Sequence, residues 1–301
     1  GGLDVSDPAT LATTVAELAR RNVASCWLRA GTGLEPSVAA ALIGQSDVRV
    51  DAVVVDAQDL GATVEAWRSS GTWRVLAQVT SREEAEAAVA AGAHGLVASG
   101  CEAGGRVGTT EAFILFQQVV DLGVPVWSRG GIGAHTAAAV MAGGGAGVVL
   151  DVQLGLLRES GLDTDTRHAL AAMDGSETRV VGGHPCRTWP TGYDSAAAAH
   201  GSRLRHDLVP FGQDGGFAEG LARRHATVGG VVQAIRHAVT EHLDAAASEP
   251  PLAPGHGVAE AHRTQYPIAQ GPMTRVSDRA AFAAAVADGG GLPFLALALL
   301  P

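Results

Sequence analysis

The sequence predicts an α/β fold, a TIM-type (β/α)8 barrel, on three observations. Short apolar runs recur at intervals of about 22 to 29 residues. Ala-rich amphipathic segments separate several of them, which is the pattern of parallel βα units. The length of 301 residues exceeds the roughly 250 that one such barrel needs.

A helix over Pro8 to Arg20 opens the pattern, with Ser6 or Asp7 available as its cap and Pro8 at N1, where a missing N–H costs nothing. The apolar run Val23 to Leu28 reads as the first buried strand and ends near Arg29, Ala30 and Gly31. Further strands are expected at Val50 to Asp56, Trp73 to Val79, Gly95 to Ser99, Val124 to Ser128 and Gly147 to Val152, with helices over Ser81 to Ala91 and Thr136 to Ala142. Residues 155 to 180 read as helical and charged, whereas 182 to 215 show no regular apolar period. Gly216 to Leu243 is helix-rich, and Ala245 to Gly257 has linker composition. The βα pattern resumes at Tyr266, with strands Pro267 to Gln270 and Leu292 to Leu297 around a helix Asp278 to Ala287. Six strands and two make eight. The expected division is 1–160 for the first block of barrel strands, 161–261 for a helical and irregular connector, and 262–301 for the opening βα units of a second block. Those last units either complete the first barrel in permuted order or begin a second, tandem barrel.

The formal net charge of -10 argues against a nucleic-acid surface, since phosphate backbones need a basic field. Cys26, Cys101 and Cys186 form no metal-ligand pair and leave one over, as expected for a reducing compartment. The apolar run Gly289 to Pro301 is too short to span a bilayer, so the expectation is a soluble cytoplasmic protein without a membrane partner. His184, His200, His206, His225 and His237 show no ligand spacing, and no metal site is predicted. Trp27, Trp67, Trp73, Trp127 and Trp189 read as core or interface aromatics.

Four segments stand at predicted strand ends, where a β/α barrel builds its site. They are Gln270-Gly271-Pro272-Met273, Gln78-Val79-Thr80-Ser81, the run Ser99 to Gly108, and Ser128-Arg129-Gly130-Gly131-Ile132. Glycine at such ends lets main-chain N–H groups converge on a phosphate.

On these segments the chain resembles the nitronate monooxygenase family and its relatives, the FMN-dependent enoyl reductases of fatty-acid synthases and comparable barrels of polyketide and polyunsaturated-fatty-acid pathways. Gly100 to Gly108 follows the family's Gly-x-Glu-x-Gly-Gly-His-x-Gly, and Tyr266 to Met273 adds a second match. The resemblance implies FMN, with Gln270, Gly271, Pro272 and Met273 along its ring, Gln78 at its polar edge, Gly104 and Gly105 in the adjoining loop, and Gly130 and Gly131 at its phosphate. It implies NADPH as a reductant and a small-molecule or carrier-bound acyl substrate. The run Gly212 to Val232 resembles the connectors between barrels of large synthases, which implies neighbouring synthase domains as partners; a homodimer stays open. Three functions follow: an FMN-dependent oxidoreductase acting on acyl thioesters, a catalytically inactive barrel serving as a structural or carrier-docking module, and a nitronate monooxygenase.

Two positions depart from the family pattern. Arg106 replaces its histidine, and guanidinium cannot accept a proton near neutral pH. As the candidate catalytic residue, Arg106 would hold a carboxylate, phosphate or thioester oxygen; the alternative is that it pairs with Glu102 or another carboxylate and pins the loop. Asp151 stands where the family closes its phosphate site with Gly-Thr, and a carboxylate there opposes a phosphate unless it points away or is protonated.

Overall fold

The computed structural model describes residues 2–5, 7–31, 33–56, 59–181, 184–188, 208–209 and 211–297. Two compact units emerge, Gly1–Val239 and Thr240–Pro301.

The first unit alternates strand and helix from its start: β1 (Gly2–Val5), α1 (Pro8–Arg20), β2 (Ser25–Ala30), α2 (Pro36–Ile43), β3 (Arg49–Val55), α3 (Leu60–Ser70), β4 (Arg74–Val79) and α4 (Arg82–Ala90). It continues with β5 (Gly95–Ser99), α5 (Ala112–Val119), β6 (Val126–Arg129), α6 (Ala134–Ala142) and β7 (Gly147–Val149). All seven strands form one sheet in sequence order, each parallel to the next. A doubly wound sheet reverses its order at a switch point; here none occurs, and the winding is that of a TIM-type barrel.

Two indoles show how strongly the sheet curls. Trp27 on β2 and Trp127 on β6 have three strands between them, so a flat sheet would hold them roughly 19 Å apart. Their ring centroids lie 5.3 Å apart, edge to face, which requires both to point into a concave interior. Room for Trp127 comes from glycine: a Cβ at Gly95 would lie 2.9 Å from its ring, and one at Gly147 would lie 2.6 Å from it. We therefore expect Gly147→Ala to lose about 1 to 3 kcal/mol of stability in urea denaturation, because a crowded core must shift to admit one methyl.

On the convex face Leu28, Val53, Val75, Ala77 and Leu96 are buried with helix residues such as Leu11, Val64, Ala85 and Leu115 in one core. Local chemistry fixes the helix starts. Asp7 accepts the Thr10 N–H at 2.9 Å to cap α1, with Pro8 beside it, and Ser81 caps α4 by accepting from the Glu84 N–H.

Beyond β7 come a 3-10 turn at Val152–Leu154, α7 (Thr164–Ala171), and an antiparallel sheet of β8 (Thr178–Val181), β9 (His184–Thr188) and β10 (Leu208–Val209). The absence of an apolar period over 182 to 215 therefore conceals strands. A second 3-10 turn at Gln213–Phe217 leads to α8 (Ala218–His225) and the long α9 (Val228–Ser248). His200, His206 and Trp189 lie outside the described residues.

The second unit holds the end of α9, α10 (Gly257–His262) and α11 (Ala280–Asp288). The expected strands Pro267 to Gln270 and Leu292 to Leu297 are corrected here: the two stretches share one parallel bridge, Ala269 to Leu292. Pro267 and Pro293 lack the N–H that a longer ladder would need. Among the described residues, the eight strands counted from sequence become seven in the parallel sheet, with β1 taking part and these two left out.

Candidate functional site

Alternation along the strands aims Arg29, Gln78 and Arg129 into the barrel at its C-terminal end, beside Asp56 just past β3. Arg29 Nη2 donates to Asp56 Oδ2 at 3.0 Å, and the Gln78 amide donates to the same oxygen at 3.1 Å. Arg106 reaches in from the loop after β5. Its Nε donates to Asp56 Oδ1 at 2.5 Å and its Nη1 to Glu84 Oε1 at 2.8 Å, while Thr80 Oγ1 and the Gln78 carbonyl accept at 3.3 and 3.4 Å. Glu84 also accepts the Thr80 N–H at 2.7 Å.

The Arg106 side chain is 21% exposed and that of Asp56 10%, so solvent screens this network only in part. Burial pulls the Glu84 carboxyl upward, but the Arg106 guanidinium and the Thr80 N–H outweigh it and hold it below its ordinary value. Burial likewise opposes the charge on Arg106, and Glu84 and Asp56 overcome it, raising its pKa further.

A second cluster lies at the turn after β6. Arg129 donates to Ser99 Oγ at 2.9 Å and pairs closely with Asp151. Gln153 ties in two segments, its Oε1 accepting the Asp151 N–H at 2.9 Å and its Nε2 donating to Asp214 Oδ2 at 3.0 Å. The Glu102 carboxylate accepts the Ala112 N–H at 3.0 Å and so caps α5.

Of the residues singled out from sequence, Gln78 and Arg106 are in direct contact, and the Gln78 amide also reaches the Arg106 carbonyl at 3.5 Å. Gly105 adopts φ +77, and a Cβ there would sit 3.6 Å from Arg129 and 3.9 Å from Arg29. Gly130 and Gly131 form the turn after β6 with φ of +107 and +60, a left-handed pair that glycine alone adopts readily. Gln270, Gly271, Pro272 and Met273 belong to the second unit. There the Gln270 amide donates to the Gly271 carbonyl, its Oε1 accepts the Phe294 N–H at 3.1 Å, and Met273 is 61% exposed.

Arg29, Asp56, Glu84, Gln153 and Asp214 did not stand out in the sequence as site residues, and Ser99 and Arg129 stood within the strand-end segments without a role of their own. For Arg29, Asp56 and Arg129 a signal exists, since each ends a strand run at the parity that faces the barrel interior. For Asp214, 61 residues from Gln153, no local signal exists.

An FMN phosphate needs free donors and a neutral or positive surround at the turn after β6. The Gly133 N–H donates to Thr136 Oγ1 at 2.8 Å. A Cβ at Gly130 would lie 3.3 Å from the Glu102 carboxylate, Asp151 pairs with Arg129, and the Gly131 N–H lies near Asp214. Arg129, beside these carboxyl groups, is already paired with Asp151. The residues at this turn do not fit a flavin phosphate. The other end is similarly engaged, because the donor of Gln78 is held by Asp56.

Among the described residues no group of three His, Cys, Asp or Glu is placed to hold a metal ion, and no helix is long and apolar enough to cross a membrane.

Solved structures with the same fold include FabK from Thermotoga maritima, 21% identical with a TM-score of 0.67 over 81% of this chain and 85% of that one. Nitroalkane oxidase from Streptomyces ansochromogenes is 22% identical with a TM-score of 0.55 over 81% of each chain. No curated protein matches the chain by sequence. The nitronate monooxygenase family model matches residues 4–202, two thirds of the sequence. With that match across the sheet and the glycine loops at its mouth, the chain belongs to the nitronate monooxygenase family.

Proposed function

We propose that the barrel of residues 1–239 is a flavin-free member of a family whose members are in general FMN-dependent oxidoreductases, and that it serves as a structural module beside neighbouring synthase domains. The observation that carries this reading is the engagement of Arg106 by Asp56 and Glu84. A guanidinium holding two carboxylates has little capacity left for a substrate oxygen. The crowding of carboxyl groups at the turn after β6 supports it independently.

A second reading rests on one specific observation, the retained left-handed turn at Gly130 and Gly131. Under it the chain is an FMN-dependent oxidoreductase acting on an acyl thioester carried on a phosphopantetheine arm, with NADPH as reductant. Gln78 would then border the flavin, and a nitronate would be the alternative substrate. The chain's own residues would bind and orient the acyl group, while the flavin would carry the redox chemistry.

Activity of the full chain separates the two. The structural reading expects neither NADPH oxidation with 2-enoyl thioesters nor oxygen uptake with alkyl nitronates, each measured with added FMN. Turnover of either substrate would contradict it.

A further inference from the structure

We infer that the carboxyl group of Asp214 is a built-in occupant of the turn after β6, sealing from within the place where the family's cofactor phosphate would be received. This rests on the flavin-free reading and names the side chain that enforces it.

The segment Phe211 to Phe217 is wedged into the barrel mouth. Gly212 passes so close to the loop after β5 that an added Cβ would lie 2.2 Å from the Glu102 carbonyl oxygen and 2.4 Å from the Ala103 carbonyl carbon. The Asp214 N–H donates to that Glu102 oxygen at 3.2 Å. Leu170 on α7 and Met173 just beyond it close the segment, each 3.1 Å from where a Cβ at Gly215 would stand. Asp214 is 2% exposed, with Oδ2 accepting from Gln153 at 3.0 Å and Oδ1 buried without a hydrogen-bond partner.

Burial at this depth penalises the charged form of the carboxyl and favours the neutral acid. Burial is the largest cause, with Asp151 and Glu102 adding repulsion against the pull of Arg129 and the nearby Gly131 N–H; together they push the Asp214 carboxyl up to about 8. The ionisable groups of the packing helices do not alter this balance. On α7, Asp165 and His168 are exposed and Arg167 is turned to the carbonyls of residues 155–157. On α8, Arg223 and Arg224 are exposed, while Glu219 and His225 are half-buried and contribute none of these influences.

A carboxyl whose folded value is raised leaves stability untouched below its unfolded value near 4. Between that pH and about 8 the unfolded chain ionises first, so stability falls as pH rises, and it levels off above.

The test compares the full chain with Asp214→Asn, which mimics the neutral acid. Between pH 5 and pH 9 the folding equilibrium constant of the natural chain is expected to fall at least about tenfold more than that of the variant. Carbon-13 NMR of aspartate-labelled natural protein reads the same titration if the variant does not fold: one carboxyl stays protonated at pH 6.5 and ionises toward pH 9. An Asp214 already ionised at pH 6.5, with no uptake of added FMN, would overturn the seal and leave the flavin-free reading standing. Saturable FMN uptake would overturn that reading and the seal with it.

Discussion

Replacing Arg106 by Leu is expected to cost about 2 to 4 kcal/mol of stability, because it strands the carboxylates of Asp56 and Glu84 in a partly buried site. The figure sits toward the low end for broken buried pairs, since the Arg106 side chain keeps 21% exposure and water can reach the abandoned groups. The sign of its pH dependence follows from Glu84. Its folded value lies below the ordinary 4.5, so its contribution is present above that pH and is lost as pH falls through the folded value. In Arg106→Leu that loss at low pH shrinks, and the stabilities of the two proteins converge in acid. Urea denaturation at pH 7 and at pH 3 checks both points. A variant as stable as the natural chain at pH 7, but weaker in binding an acyl thioester, would return Arg106 to a ligand-binding role.

The second large effect is expected at Gly212. Its φ of -76 suits any residue, so the restriction is space. A methyl group there meets main-chain atoms of Glu102 and Ala103 at 2.2 to 2.5 Å, and main chain cannot turn aside as a side-chain tip can. Gly212→Ala should therefore lose about 3 kcal/mol or more, with the contact between the segment 211–217 and the loop after β5 opened. Gly161→Ala is the control, since nothing lies within 4 Å of its added Cβ, and its change should stay within about 0.5 kcal/mol. Hydrogen exchange of the Asp214 N–H reports whether the segment has lifted. Equal stability of Gly212→Ala and the control would refute the wedge.

The barrel strands were legible where burial on both faces demanded continuous apolar runs, as at Val50 to Val55 and Trp73 to Val79. The edge strand β1 was not, because Gly2-Leu3-Asp4-Val5 is too short and mixed to show a period. β8 to β10 were missed for a related reason: a small antiparallel sheet of short strands carries little periodic signal. In the second unit apolar runs suggested strands, yet prolines within them leave a single bridge.

The site was legible as a set of loops and not as a set of pairs. The glycine-rich loop puts Arg106 over the barrel mouth, and the sequence offers Glu102 or another local carboxylate as its partner. Glu102 instead caps α5, while the partners of Arg106 are Asp56 and Glu84, 50 and 22 residues away in sequence. Curling a parallel sheet brings the ends of successive strands together, and only three-dimensional closure reveals which charges meet. The same holds for Asp151. Read alone it opposes a phosphate; in the structure it is matched by Arg129, at the parity-determined end of β6.

Direct titration decides whether this barrel mouth receives a flavin. Purified full-length chain, stripped of small molecules and titrated with FMN at pH 7, should leave the fluorescence of the flavin unquenched and proportional to its concentration throughout. Saturable quenching at one FMN per chain, lost when Gly131 is changed to Asp, would show that the turn after β6 holds the cofactor phosphate and would contradict the flavin-free reading.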